Sequence, residues 1–201
     1  MGARVLGLSL LLLNLVLHMS TTVKSVVANS NPIDFIKSSC KTTRYPVVCI
    51  KSLSAYASAI HQSDEHLAIT ALSVSVSRTR SSASFVKKLG TQKGMKPKDY
   101  NVVKDCIENI DDNVDRLSQS VKEFGLLGNP KGKDFAWHMS NIQTWVSAAI
   151  TKQGTCLDGL DGPHVDAKLK LAIRPRILDA SQVTSNALVF INRFASKHRT
   201  Y

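Results

Sequence analysis

Four cysteines, Cys40, Cys49, Cys106 and Cys156, carry the clearest chemistry in this chain of 201 residues. An even set of thiols behind an export signal forms disulfides by default, and four cysteines allow three pairings. Order along the chain does not choose among them, but geometry does. Cys40 and Cys49 flank Lys41-Thr42-Thr43-Arg44-Tyr45-Pro46, a loop that a local bond can close. The midpoint of Cys106 and Cys156 is residue 131, inside Gly128-Asn129-Pro130-Lys131-Gly132-Lys133, the strongest turn signal present. Two helices running antiparallel through that turn would bring Cys106 and Cys156 level. The spacing therefore predicts Cys40–Cys49 and Cys106–Cys156. Zinc would want closely spaced cysteine pairs or a neighbouring histidine, and the sequence offers neither, so no metal is expected.

The other reactive side chains assemble nothing catalytic in sequence. His61 and His66 are not at the i,i+4 spacing that aligns two ligands on a helix, and His138, His164 and His198 join no recognisable triad. No G-x-S-x-G, H-E-x-x-H or glycine-rich phosphate loop occurs, so neither enzyme activity nor a cofactor is expected. Carboxylates crowd one segment at Glu108, Asp111, Asp112 and Asp115. Acid/base work needs a cleft that drives two carboxyl pKa values apart, and the outer side of a bundle helix rarely supplies one. Glu108, Asp112 and Asp115 recur at steps of 4 and 3, so they share one side of a helix. That side is either a solvated acidic face or an interaction face. Trp137 and Trp145 are expected at the edge of a core.

The elements that must position these groups are helices. Ile69, Leu72, Val76, Thr79, Ala83 and Val86 step at helical intervals, opened by Ser63 as N-cap and stopped by Gly90. Val103, Ile107, Ile110, Val114, Leu117, Val121 and Phe124 do the same, ended by Gly125 and Gly128. A third stripe runs Phe135, Met139, Ile142, Val146, Ala149, with Asp134 as cap and Gly154 as stop. The fourth runs Ile173, Ile177, Ala180, Thr184, Ala187, Ile191, Phe194, where Pro175 predicts a kink or a start. Long helices with one apolar stripe and short turns predict an all-α, antiparallel up-down-up-down four-helix bundle. Residues 29–60 are expected to form an N-terminal helical hairpin stapled by Cys40–Cys49, and residues 61–201 the bundle.

Residues 1–28 read as a signal peptide: Arg4, an apolar run from Val5 to Leu17, and a small-residue cleavage site at Val26-Val27-Ala28. The run is too short to span a bilayer, so a secreted product with no transmembrane anchor is expected. Loss of Arg4 and Lys24 with the leader lowers the net charge from +11 to +9. Such a protein should make weak electrostatic contact with acidic cell-wall polysaccharide. The basic residues look scattered and carry no nucleic-acid motif, which argues against nucleic acid.

Several stretches resemble one known family. Cys40 to Cys49 is similar to the opening hairpin of the plant invertase and pectin methylesterase inhibitors. The run from Asp105-Cys106 to Leu117 resembles their D-C-x-E-x-x-x-D-A-v-D-x-L helix. Trp145 to Gly159 resembles W-x-S-A-A-L-T-x-x-x-T-C-x-D-G, and Thr184-Ser185-Asn186-Ala187-Leu188 resembles their closing helix. The resemblance covers nearly all of the chain after the leader. It implies a protein that is not an enzyme, acting in the cell wall or apoplast by covering the pectin cleft of pectin methylesterase in a 1:1 complex. Carried over by motif position, the binding face comprises Glu108, Asp112, Asp115, Gln143, Thr151, Thr155 and Asp158. Gln143 and Thr151 depart from the residue types expected there. The Pro-Lys-Phe motif of the invertase inhibitors is absent: Pro97-Lys98 and Pro130-Lys131 are followed by Asp99 and Gly132. The absence of a catalytic domain before Tyr201 favours a free inhibitor over the pro-region of an esterase. Inhibition of invertase on the same scaffold, and direct binding of demethylated pectin, are the alternatives.

Overall fold

The computed structural model describes residues 31–128, 132 and 134–198. The leader and the centre of the 129–133 turn lie outside the described residues. Every regular element described is helical. Helix α1 spans Pro32–Cys40 and α2 Pro46–Leu53; a 3-10 turn at Ser54–Tyr56 leads into the single turn α3, Ala57–Ile60. Four long helices follow: α4 Asp64–Gly90, α5 Pro97–Phe124, α6 Phe135–Leu160 and α7 Ala167–Lys197.

Local chemistry sets most helix starts. Proline occupies the first turn of α1, α2 and α5, where its missing N–H costs nothing. Side chains cap α4 and α7. Ser63 Oγ accepts from the His66 amide, and Asp166 Oδ1 accepts from the amides of Lys168 and Leu169. Asp134 stands at the cap position of α6 but its side chain makes no cap hydrogen bond.

Two expected helix boundaries, a stop at Gly154 and a start at Pro175, do not occur. Helix α6 runs through Gly154 to Leu160. A helical glycine costs only about 1 kcal/mol, and buried Cys156 and Leu160 lie beyond it, so continuing the helix returns more than stopping it. Helix α7 runs through Pro175 from a start eight residues earlier. Proline deprives the Leu171 carbonyl of its helical donor. Both Leu171 and Pro175 are exposed, so that carbonyl stands on the solvent side.

Each long helix packs on the next, and α7 closes the ring onto α4. Neighbours run antiparallel. Asp64 at the start of α4 bonds Arg193 and Lys197 at the end of α7, and Cys106 early in α5 is bonded to Cys156 late in α6. The hairpin packs across the α4–α7 seam, away from α5 and α6. Its own staple, Cys40–Cys49, is fully buried, with Cα atoms 5.6 Å apart.

The core is divided. One apolar cluster joins Ile36, Leu53 and Ile60 of the hairpin region to Leu67, Leu117, Ile142 and Phe190. A second joins Val86, Val103, Ile110, Leu160, Ile173 and Ile177. Between them lies a polar layer with one buried residue from each long helix: Thr79, Asn113, Gln153 and Thr184. Gln153 Nε2 reaches Thr79 Oγ1 at 3.4 Å and Thr184 Oγ1 at 3.5 Å. Neither polar atom of the Asn113 side chain has a protein partner.

Candidate functional site

The α5–α6 side of the bundle gathers most of the residues singled out in sequence. On α5, Glu108, Asp112 and Asp115 face away from the buried positions Cys106, Ile110 and Leu117. On α6, Thr151, Thr155 and Asp158 are exposed and recur at the same steps of 4 and 3, so they too form one row. The Cys106–Cys156 bond holds the two helices with Cα atoms 4.8 Å apart beneath these rows. Lys152 Nζ crosses between them to Asp112 Oδ2 at 3.5 Å.

Electrostatics order the acidic row from within the chain. Arg116 Nε donates to Asp112 Oδ2 at 2.9 Å. That hydrogen bond outweighs the opposing effect of partial burial and, with the charges of Arg116 and Lys152, holds the Asp112 carboxyl below its ordinary range. Glu108 has a looser i,i+4 contact with Lys104 at 3.9 Å. Thr151 Oγ1 and Thr155 Oγ1 donate back to the carbonyls of Ser147 and Thr151, which fixes both hydroxyls against their own helix.

Gln143 does not share this setting. Its Nε2 donates to Asn192 Oδ1 of α7 at 2.8 Å, so it belongs to the α6–α7 seam. Trp137 departs from the sequence expectation in the other direction. It is 66% exposed, not at a core edge. Helical spacing places it on the outer row of α6, in line with Thr144, Thr151 and Asp158. Those intervals of seven were available in the sequence; an apolar prior for tryptophan hid them. Asn186 was seen only as part of a motif. Its side chain brackets the hairpin tip, donating to the Tyr45 carbonyl at 2.9 Å and accepting from the Tyr45 amide at 3.1 Å.

A family model described as plant invertase/pectin methylesterase inhibitor matches residues 34–190. The chain belongs to that family. It is 46% identical over 180 residues to pectinesterase inhibitor 11 of Arabidopsis thaliana, covering 89% of this chain and 89% of that protein. A 21 kDa protein of Daucus carota is 47% identical over 165 residues, 82% of this chain and 86% of the carrot protein. The crystal structure of a mutant form of a pectin methylesterase inhibitor from Arabidopsis superposes with a TM-score of 0.62 at 18% identity, covering 81% of this chain and 97% of that one, and supports the fold. By kinship with named inhibitors the chain is not an enzyme. Among the described residues no cluster of His, Cys, Asp or Glu could hold a metal ion, and no helix is long and apolar enough to cross a membrane.

Proposed function

We propose that this protein is a secreted inhibitor that docks on pectin methylesterase in a 1:1 complex, covers its pectin-binding cleft and so regulates pectin methylesterification in the cell wall. The observation that carries the reading is the α5–α6 face. Two rows of polar side chains, with an exposed tryptophan in line, stand on helices that a disulfide holds in fixed register. A surface ordered before docking loses little conformational freedom on binding. An exposed tryptophan is a frequent anchor of a protein-binding hot spot, and Trp137 stands on the same side of α6, about four turns from Thr151. The proposed face is Glu108, Asp112, Asp115, Thr151, Thr155 and Asp158, with Trp137 added. Gln143 contributes from the neighbouring seam.

The test is an assay of the oxidised protein, freed of residues 1–28, against a plant pectin methylesterase and a plant invertase. The reading expects stoichiometric loss of methylesterase activity that moderate salt leaves largely intact, and no hydrolysis by the protein itself. Loss of sucrose hydrolysis with methylesterase untouched would transfer the function to invertase. Trp137→Ala should weaken inhibition by at least about tenfold if it anchors the contact.

A further inference from the structure

The lysines that look scattered in sequence converge at one end of the bundle, the end where α4 turns into α5 and α6 turns into α7. Lys88, Lys93, Lys96, Lys98 and Lys168 are exposed there, and none has an ion-pair partner among the described residues. Lys87, Lys104 and Lys170 stand beside them, paired with Asp111, Glu108 and Asp161. The acidic groups at this end do not neutralise the excess. Asp99 is 4% exposed and accepts from the Asp166 amide, while Asp166 caps α7 and Asp161 already serves both Lys170 and Arg174. Asp105 and Asp158, the latter in the last turn of α6, are the remaining exposed carboxylates, fewer than the five unpaired lysines.

This end is also shaped. A cleft of about 430 Å³ lies between the α4–α5 turn and the start of α7, rimmed by Lys93, Lys96 and Lys168 over Leu89, Met95 and Leu169; Asp99 and Asp166 also line it, their carboxylates engaged by the backbone amides of the α7 start. On the other side of the α4 terminus a second cleft, about 250 Å³, carries Tyr100, whose ring is half exposed, with Lys87 and Lys104 beside it. Unpaired lysines around the first cleft, with the open ring of Tyr100 in the second, suit a chain of sugar rings bearing carboxylates.

We propose that the α4–α5 turn end binds stretches of polyuronate, the carboxylate-bearing polymer left when pectin methyl esters are hydrolysed. The choice of polyanion rests on the function proposed above; the site does not. Hydrolysis of each ester turns a neutral sugar into an anion. An inhibitor with a cationic end therefore concentrates where the esterase has already worked, and dilutes away from pectin that is still esterified. Disulfides place the chain in an oxidising compartment, where a uronide polymer is a more accessible polyanion than nucleic acid.

The experiment measures retention of the oxidised protein on immobilised polygalacturonate and on fully methyl-esterified pectin. Retention on the acidic polymer alone is expected, falling at least about tenfold between roughly 50 mM and 300 mM salt as screening shortens the reach of the lysines. The quadruple variant K93Q/K96Q/K98Q/K168Q should lose at least about tenfold, while K37Q/K41Q/K51Q/K122Q, with the same loss of charge elsewhere, should change by less than about threefold. Circular dichroism should show both variants folded. Equal losses in the two variants would reduce the effect to net charge and overturn the site. Equal retention on esterified pectin, or stronger retention on duplex DNA or phosphatidylserine vesicles, would overturn the ligand. Methylesterase inhibition in free solution is read in parallel. It should be unchanged in the first variant, and its absence in the unaltered protein would sink the proposed function without touching the polyuronate result.

Discussion

The two ends of the bundle are held by different means. At the hairpin end, Phe124, Phe135, Phe194 and His198 stack within 6 Å of one another's centroids along the chain of contacts, and the Ile36–Phe190 core continues into the hairpin. Asp64, 16% exposed, is gripped by Arg193 and Lys197, and Arg193 also donates to Ser39 Oγ of α1. The opposite end has a smaller apolar cluster and, among the described residues, no aromatic stack. It has a covalent bond, Cys106–Cys156, and an open lysine-lined cleft. The hairpin end has a staple too, Cys40–Cys49, but it closes the hairpin on itself. The comparison teaches that a staple between two long helices fixes a bundle end without filling it, and so leaves room there for a ligand.

The largest test of that contrast is Cys106→Ser. Removing a bond that closes a long loop should cost about 2–5 kcal/mol. Hydrogen exchange should show the loss of protection concentrated in Val103–Ile110 and Cys156–Ile177, with Leu67–Leu72 and Ala187–Phe194 much less affected. Uniform loss would mean that the two ends do not differ. Peptide mapping that recovered Cys40–Cys106 or Cys49–Cys156 would break the pairing itself.

Next comes Asp64→Ala, which leaves Arg193 half-buried without its carboxylate and should cost about 1–3 kcal/mol at neutral pH. The loss should appear at the hairpin end and spare the stapled end. Acid makes the same cut without mutation. Burial pushes the Asp64 carboxyl up, but hydrogen bonds and charge from Lys197 and Arg193 win and hold it below its usual range. Hydrogen bonds from Asn141 and from His138 hold Glu123 down too, against a smaller effect of burial. Carboxyls depressed in the folded state stabilise it fully above their unfolded pKa values, and that stability is lost as pH falls through the folded ones. Denaturant midpoints should therefore be nearly flat from neutrality to about pH 5 and drop below about pH 4. Asp64→Ala should flatten part of the drop.

A smaller effect joins the two ends. Asn113→Leu replaces an amide that no protein group satisfies with an apolar side chain of the same branched shape, though larger. It should raise stability by about 1 kcal/mol and make unfolding of the two clusters more concerted. A lower midpoint would show that the amide is satisfied after all.

The least effect on stability, though not on binding, is expected from Asp112→Asn on the face. Its carboxylate is ionised throughout the range of cell-wall pH in the free chain because Arg116 and Lys152 attend it. If docking desolvates it, its pKa rises, protons are taken up, and the complex tightens as pH falls from 8 to 5. If the enzyme supplies a cation, the carboxylate stays ionised both free and bound, and Asp112 gives no slope over that range. Dissociation constants over that range decide: a slope that Asp112→Asn abolishes shows desolvation of this carboxylate, and an identical slope in the variant shows that its protonation is not coupled to docking.

Much of this was legible in the sequence. Apolar steps of 3 and 4 located all four long helices, and the symmetry of Cys106 and Cys156 about one turn fixed which helices are neighbours and in which direction they run. What stayed hidden depended on partners distant in sequence. Gly154 looks like a stop and Pro175 like a kink or a start until their surroundings are known: buried residues beyond the first, an exposed carbonyl before the second. Gln143 and Thr151 both sit on α6, yet only packing shows that one is tied to α7 while the other faces out. Asn186 offers no local hint that it fastens Tyr45, 141 positions away.

The layer of Thr79, Asn113, Gln153 and Thr184 has a consequence for how the chain finds its alignment. Four helices striped at similar intervals could slide past one another by two turns and still bury apolar side chains against apolar side chains. Such a slip would scatter the four polar groups into separate dry layers, each costing the desolvation of an unmatched group. Only the native alignment collects them at one level, where Gln153 can reach hydroxyls on two other helices. The layer gives up some stability and in return acts as an index mark, as a lone polar position does in a coiled coil. Cys106 and Cys156 then meet because the helices are already in step.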